Sequence, residues 1–188
     1  EAHKMGGDCL NYGCVPSKAL IRSAKLAKQM RHGEDYGLES HTAHFSFRAV
    51  MARIHAVIAA IEPHDSVERY TNLGVDVRQG YAKLIDPWTV EITQPDGKSE
   101  RLTARSIIIA AGAAPFVPPL PGLADVCVTS DTLWAKFTEL DQVPAQLVVL
   151  GGGPIGCELA QSFARLGANV TQVEMGDRLL AREDIDVS

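Results

Sequence analysis

The chain has 188 residues, 23 acidic and 18 basic side chains, a net charge of −5 and 46% hydrophobic composition. That balance describes an ordinary globular protein of one or two domains, and its acidity argues against a nucleic-acid partner, which needs a basic surface. No apolar run nears the roughly 20 residues that cross a bilayer, and four cysteines without a framework of spacings suit a reducing, cytoplasmic compartment.

Residues 6–20 read GGDCLNYGCVPSKAL and set Cys9 and Cys14 five positions apart. In a helix such residues are separated by about 7.5 Å of rise and about 140° of turn, and in a strand by about 16 Å. A disulfide needs Cα atoms within about 4.4–6.8 Å, so the chain between them must turn. Asn11 and Gly13 are turn residues, and Pro16 suits the first turn of a helix. Cys9 is therefore expected on a loop and Cys14 at a helix N-terminus, where the helix dipole favours thiolate. On the residues alone, other readings stand beside a redox pair. They are a structural disulfide, half of a zinc site, or two inert cysteines. For zinc the second half is missing, since Cys127 and Cys157 are isolated and no histidine pair has ligand spacing.

From Pro16 to Arg31 the pattern is helical. Lys18, Arg22, Lys25 and Lys28 form one stripe, and Ala19, Leu20, Ala24, Ala27 and Met30 lie largely opposite. A second helix is expected over Phe47–Ile61, ending before Pro63, and a shorter one over His64–Leu73, stopped by Gly74. The texture then changes to VDVRQGYAKLI, WTVEIT and RLTARSIIIAAG, separated by DP and PDG turns. This predicts a small antiparallel meander whose last member, Ile107–Ala110, is apolar throughout and buried on both faces. AAPFVPPLPG follows as a rigid, irregular crossing. A helix over Asp131–Thr138 leads into LDQVP, and a domain boundary is placed near residue 143.

The stretch QLVVLGGGPIGCELAQSFARLGANVTQVE carries the strongest pattern. Residues 146–150 read as a buried strand, and Gly151, Gly153 and Gly156 make G-x-G-x-x-G. A helix runs to Leu166, Gly167 ends it, and Asn169–Val173 form a second strand ending at Glu174. In such a β-α-β unit the first glycine permits the tight turn, the second lets backbone approach a pyrophosphate, and the third lets helix pack on strand. Glu174 would accept hydrogen bonds from an adenosine ribose, favouring NAD over NADP. Glu174 is followed by MGDRLL and Glu1 by AHKMGG. That parallel makes Glu1 the acid ending the second strand of another such unit, with roughly 30 residues upstream of it.

Taken together, the sequence resembles the flavin-dependent pyridine nucleotide–disulfide oxidoreductases over essentially its whole length, with the lipoamide- and mercury-reducing branches nearest. GGDCLNYGCVPSK matches the family's G-G-x-C-x-N-x-G-C-x-P-S-K pattern. IIIAAG with PFVPPLPG matches the strand leaving the flavin domain, with Ala111 where threonine is usual. GGGPIGCELAQSFARLGANVT matches the entry to the nicotinamide domain.

The resemblance implies an α/β fold of Rossmann-like FAD- and NAD(P)-binding domains with a small meander, incomplete at both ends. Residues 1–143 would be part of the FAD domain and 144–188 the first β-α-β of the NAD(P) domain. NAD(P)H would give hydride to the flavin, Cys14 would be the charge-transfer thiolate against it, and Cys9 the interchange thiol that meets substrate. Lys18, a cation opposing the dipole of its own helix in the first turn, would lie near the flavin's reactive edge, paired with Glu158. FAD contacts are implied at Glu1, Gly6, Gly7, Lys18, Ala111 and Gly112. NAD(P)H contacts are implied at Gly151, Gly153, Pro154, Ile155, Gly156 and Glu174. No resident metal is implied, the substrate is a small-molecule disulfide or a thiophilic metal ion, and the parent enzyme is a homodimer. The family's acid–base histidine finds no match among His3, His32, His41, His44, His55 and His64, so the chain is expected to be part of a longer enzyme. The alternative is a non-catalytic nucleotide-binding or redox-sensing module.

Overall fold

Apolar residues spaced three and four apart dominate three stretches of the chain, and each becomes one of its longer helices. The computed structural model describes residues 1–187. Its helices are α1 (Gly7–Asn11), α2 (Cys14–Arg31), α3 (Phe47–Ile61), α4 (Val67–Asn72), α5 (Leu123–Val126), α6 (Ser130–Thr138) and α7 (Pro154–Leu166), with 3-10 turns at Gly33–Tyr36, Glu62–Asp65 and Ile185–Val187. Strands β1 (Tyr81–Asp86), β2 (Thr89–Thr93) and β3 (Ser99–Thr103) form an antiparallel meander, and β4 (Gln146–Leu150) and β5 (Asn169–Val173) form a parallel pair.

The core is helical. α2 turns Pro16, Ala19, Leu20, Ala24 and Ala27 inward, and these small side chains let α3 and α7 lie close. Ser46 caps α3 by accepting the Ala49 N–H at 3.3 Å, which orients Phe47, Val50, Met51 and Ile54 into the interior. Phe47, Phe137 and Phe163 pack edge to face, with ring centroids 5.4–6.4 Å apart, an arrangement worth about 0.5–1.5 kcal/mol per pair beyond area burial. These rings come from α3, α6 and α7, so residues on both sides of position 143 share one core.

Several expectations need correction. α2 begins at Cys14, so Lys18 is its fifth residue and lies past the first turn, where the dipole's opposition has weakened. Met30, on the stripe opposite the cations, is 41% exposed, unlike the buried Ala19, Leu20, Ala24 and Ala27 of the same stripe. The helix expected over 64–73 is split at Ser66, whose hydroxyl accepts the Arg69 N–H at 3.2 Å and starts α4 anew. β3 is the last member of the meander. Ile107–Ala110 form no strand, with Ile108 91% and Ile109 74% exposed. A strand apolar on both faces needs neighbours to pair its backbone and cover its sides, and no described strand pairs with this run. β4 is not buried either: Val148 is 62% and Leu150 44% exposed, because α7 covers one side of a sheet only two strands wide.

Candidate active site

Gly6 and Gly7 adopt left-handed conformations, with φ of 82° and 53°, and bend the chain into α1. A Cβ on Gly6 would fall 2.4 Å from Cδ2 of the buried Leu10, so glycine is required there. Cys9 thus lies within a one-turn helix and not on a loop, correcting the expectation. The turn comes after it. The Asp8 carbonyl accepts the N–H groups of both Tyr12 and Gly13, the chain reverses, and α2 starts at Cys14.

Two side chains hold this reversal from outside. Asn11 Nδ2 donates to the carbonyls of Met5 and Gly7, each at 3.0 Å. Trp134 Nε1 donates to the Tyr12 carbonyl at 2.7 Å. Sequence reasoning saw Asn11 only as a turn former and did not single out Trp134, whose one local signal was an apolar position on α6.

Cys9 and Cys14 are both free, exposed thiols. The neighbouring Cys14 side chain, which favours retention of the Cys9 proton, is the chief reason the Cys9 thiol is pushed above the ordinary cysteine range, with burial and the charge of Cys14 adding to it. Titration of such a pair belongs to the pair and not to one sulfur. Cys14 and Lys18 stand four apart, on one face of α2. Lys18 Nζ meets Glu158 Oε2 at 2.5 Å and Oε1 at 2.6 Å, so the structure brings together the two residues expected as partners. Gly112, with φ of 72°, passes beside α1: a Cβ on it would lie 3.4 Å from Asp8 Oδ2. Gly112, with Ala111 before it in the chain, therefore lies beside the helix that carries Cys9.

The second half of the site is the turn between β4 and α7. Gly151 has φ of 109°, its N–H donates to the Val173 carbonyl at 2.8 Å, and Gln172 Nε2 donates to its carbonyl at 2.9 Å. A Cβ on Gly156 would sit 2.3 Å from the Gly151 carbonyl oxygen, whereas around Gly153 nothing lies within 4 Å. Pro154 opens α7 with no side-chain cap on its N-terminus, and Ile155 is 66% exposed. Glu174 bridges the turn by accepting the N–H of Gly152 at 2.5 Å and of Gly176 at 2.8 Å. These bonds, that from Gly176 first, hold its carboxyl below the usual glutamate range. Glu1 repeats the pattern: its Oε1 accepts the His3 N–H at 2.9 Å, which lowers its carboxyl as well.

The residues fit both nucleotides that the resemblance implies. A helix N-terminus without a side-chain cap, beside a glycine with free space, suits a pyrophosphate. Exposed thiols beside Gly7, which has nothing within 4 Å of a Cβ position, and an exposed apolar run ending at Gly112, suit a flavin ring. Cys127 and Cys157 are free and half-buried, and the Cys157 thiol donates to the Gly152 carbonyl at 3.4 Å; among the described residues no group of three His, Cys, Asp or Glu side chains could hold a metal ion.

A family model described as pyridine nucleotide-disulphide oxidoreductase matches residues 2–188. The chain is 32% identical to a dihydrolipoyl dehydrogenase of Bacillus subtilis, over 100% of this chain and 40% of that protein. It is 37% identical to a mercuric reductase of Shewanella putrefaciens, over 97% of this chain and 32% of that protein. Among solved structures, a Cu(II) complex of a mutant of the HOCl-induced flavoprotein disulfide reductase RclA from Escherichia coli matches with a TM-score of 0.74 and 29% identity, covering 99% of this chain and 38% of that one. The chain thus spans 32–40% of the length of these proteins.

Proposed function

The chain belongs to the pyridine nucleotide-disulphide oxidoreductase family, and on that premise we propose that it carries electrons from NADH by way of FAD to the Cys9–Cys14 pair, and from there to a disulfide or thiophilic metal ion of the lipoamide or Hg(II) type. The observation that carries this reading is the pair of free, exposed thiols set on either side of the turn that joins α1 to α2.

Cys9, on α1, is the thiol that meets substrate. Its thiolate attacks one sulfur of a substrate disulfide, that S–S bond breaks, and the leaving thiolate takes a proton from solvent. The Cys14 thiolate then attacks the Cys9 sulfur, forms the Cys9–Cys14 disulfide and releases the second thiol, which is also protonated. The pair has given up two electrons, and the substrate has gained two electrons and two protons. When bound, FAD would supply two-electron reducing chemistry to the Cys9–Cys14 pair. A thiophilic cation would be held by the same two sulfurs. Lys18, tied to Glu158, stands one helical turn beyond Cys14 and is proposed to border the flavin's reactive edge.

Gly6, Gly7, Ala111, Gly112 and Glu1 are the residues proposed to border the flavin nucleotide, with residues 1–143 as the flavin-binding part. The glycine turn, Pro154 and Ile155 are proposed to hold the nicotinamide dinucleotide, with 144–188 as its binding part. Glu174 supports NADH over NADPH, since a carboxylate repels a 2′-phosphate and accepts from a ribose hydroxyl. The same proposal makes the full-length protein a cytoplasmic homodimer. Four cysteines without a disulfide framework support that compartment, and among the described residues no helix is long and apolar enough to cross a membrane.

Two-electron reduction of the full-length protein should produce a long-wavelength absorbance band that Cys14→Ser abolishes; a band that survives the substitution refutes the role of Cys14. Turnover with NADH should be found with lipoamide or Hg(II), and activity confined to glutathione disulfide would overturn the substrate preference.

A further inference from the structure

The chain between Cys9 and Cys14 is held by groups far from it in sequence. Trp134 is 4% exposed, and its indole N–H reaches the carbonyl of Tyr12, 122 positions away, at 2.7 Å. Tyr12 is the residue at which α1 ends, so this bond grips the middle of the reversal between the two sulfurs. The helix that carries Trp134 is itself anchored at both ends. At its start, the Thr129 and Thr132 side chains form a capping box. At its end, Thr138 Oγ1 donates to the Trp134 carbonyl at 2.7 Å and meets His55 Nε2 of α3 at 2.8 Å. A donor on so fixed a support sets the position of its acceptor.

We infer that Trp134 is a positioning residue for the redox pair: its indole N–H, bonded to the Tyr12 carbonyl, holds Cys9 and Cys14 at the approach that disulfide formation requires. The inference rests on the reading of these cysteines as a pair that cycles between dithiol and disulfide. A disulfide demands tighter geometry than two thiols do. Loosening the turn therefore penalises the oxidised form more than the reduced one. It also lets Cys14 move away from Cys9 and so weakens the influence of Cys14 that keeps the proton on Cys9.

The test is equilibration of the full-length protein with reduced and oxidised glutathione. As the Cys9–Cys14 bond forms, the glutathione S–S bond breaks and takes up two electrons and two protons. Trp134→Phe keeps the ring and removes the donor. It should lower the oxidation equilibrium constant about tenfold, equivalent to roughly 30 mV for a two-electron couple, and should move the alkylation profile of Cys9 to lower pH. Ile54→Val, a truncation of a buried apolar side chain that removes none of the turn's hydrogen bonds, should lower stability and leave both readouts in place. Unchanged readouts in Trp134→Phe, or equal shifts in Ile54→Val, overturn the inference.

A measurement on the unmutated protein serves even if Trp134→Phe does not fold. With tryptophan labelled at the indole nitrogen, oxidation of the pair should shift the Trp134 resonance and spare that of Trp88, which is 61% exposed on the meander side. An indole signal of Trp134 indifferent to oxidation refutes the coupling. Failure of the unmutated pair to oxidise at all would instead count against the proposed function.

Discussion

Lys18 and Glu158 are each the fifth residue of their helix, and they join α2 to α7 through both carboxylate oxygens at 2.5 and 2.6 Å. Their side chains are 59% and 40% exposed, so the pair adds only about 0–1 kcal/mol to stability. Its work is orientation, because it fixes a flexible cation on the face of α2 that carries Cys14. Glu158→Ala should change unfolding free energy by less than about 1 kcal/mol and slow flavin reduction by NADH about a hundredfold, the scale set by misplacing a catalytic group. Urea unfolding beside stopped-flow absorbance separates the two effects. A large stability loss with normal reduction would make the pair structural.

Gly156 and Gly153 differ in the space around them, and their alanine variants should differ accordingly. Gly156→Ala drives a methyl to within 2.3 Å of the Gly151 carbonyl oxygen. Backbone cannot yield there without opening the turn, so a loss of about 1–3 kcal/mol and of nucleotide binding is expected. Gly153→Ala meets no atom within 4 Å at an ordinary extended conformation. It should keep stability and weaken only NADH binding. Thermal unfolding and nucleotide titration of both variants check this, and equal destabilisation would sink it.

Glu174 gives the glycine turn an acid limit. Its carboxyl is lowered by the N–H groups of Gly176 and Gly152, so the stability it contributes is present above the ordinary glutamate value of about 4.3 and is lost as pH falls through its depressed folded value. Glu174→Gln should flatten this part of the stability profile below about pH 4.3. Unfolding midpoints collected across the acid range would show it, and parallel profiles for both proteins would contradict it.

The Cys9 thiol is raised chiefly by the neighbouring Cys14 side chain. Removing the partner in Cys14→Ala should therefore make Cys9 ionise at lower pH and alkylate faster near neutrality. Iodoacetamide labelling followed by peptide mass analysis reads this directly. Slower labelling of Cys9 in the variant would mean that Cys14 assists its ionisation.

Much of the architecture was legible from local pattern. α3 and α7 match their expected spans, and α2 and α6 start within two residues of theirs, because helical periodicity, Ser46, Pro154 and Gly167 act within a turn or two of chain. The meander followed from its DP and PDG turns, and the β-α-β unit from three glycines whose need for positive φ or bare space is a property of the backbone itself. The sulfur pair, and Lys18 with Glu158, stood out through a motif.

What remained was decided by partners distant in the chain. Ile107–Ala110 has the composition of a central strand, yet strand formation requires another strand alongside, which no residue within the run can supply. β4 has a fully apolar middle, and its burial depends on how many strands and helices surround it. Cys9 lies in a helix because a one-turn segment is set by Gly6 behind it and the reversal ahead. The grip of Trp134 on Tyr12 spans 122 positions. Local sequence encodes the conformations a segment can adopt; packing and long-range hydrogen bonds select which of its faces and carbonyls are satisfied, and the turn between Cys9 and Cys14 owes its shape to that selection.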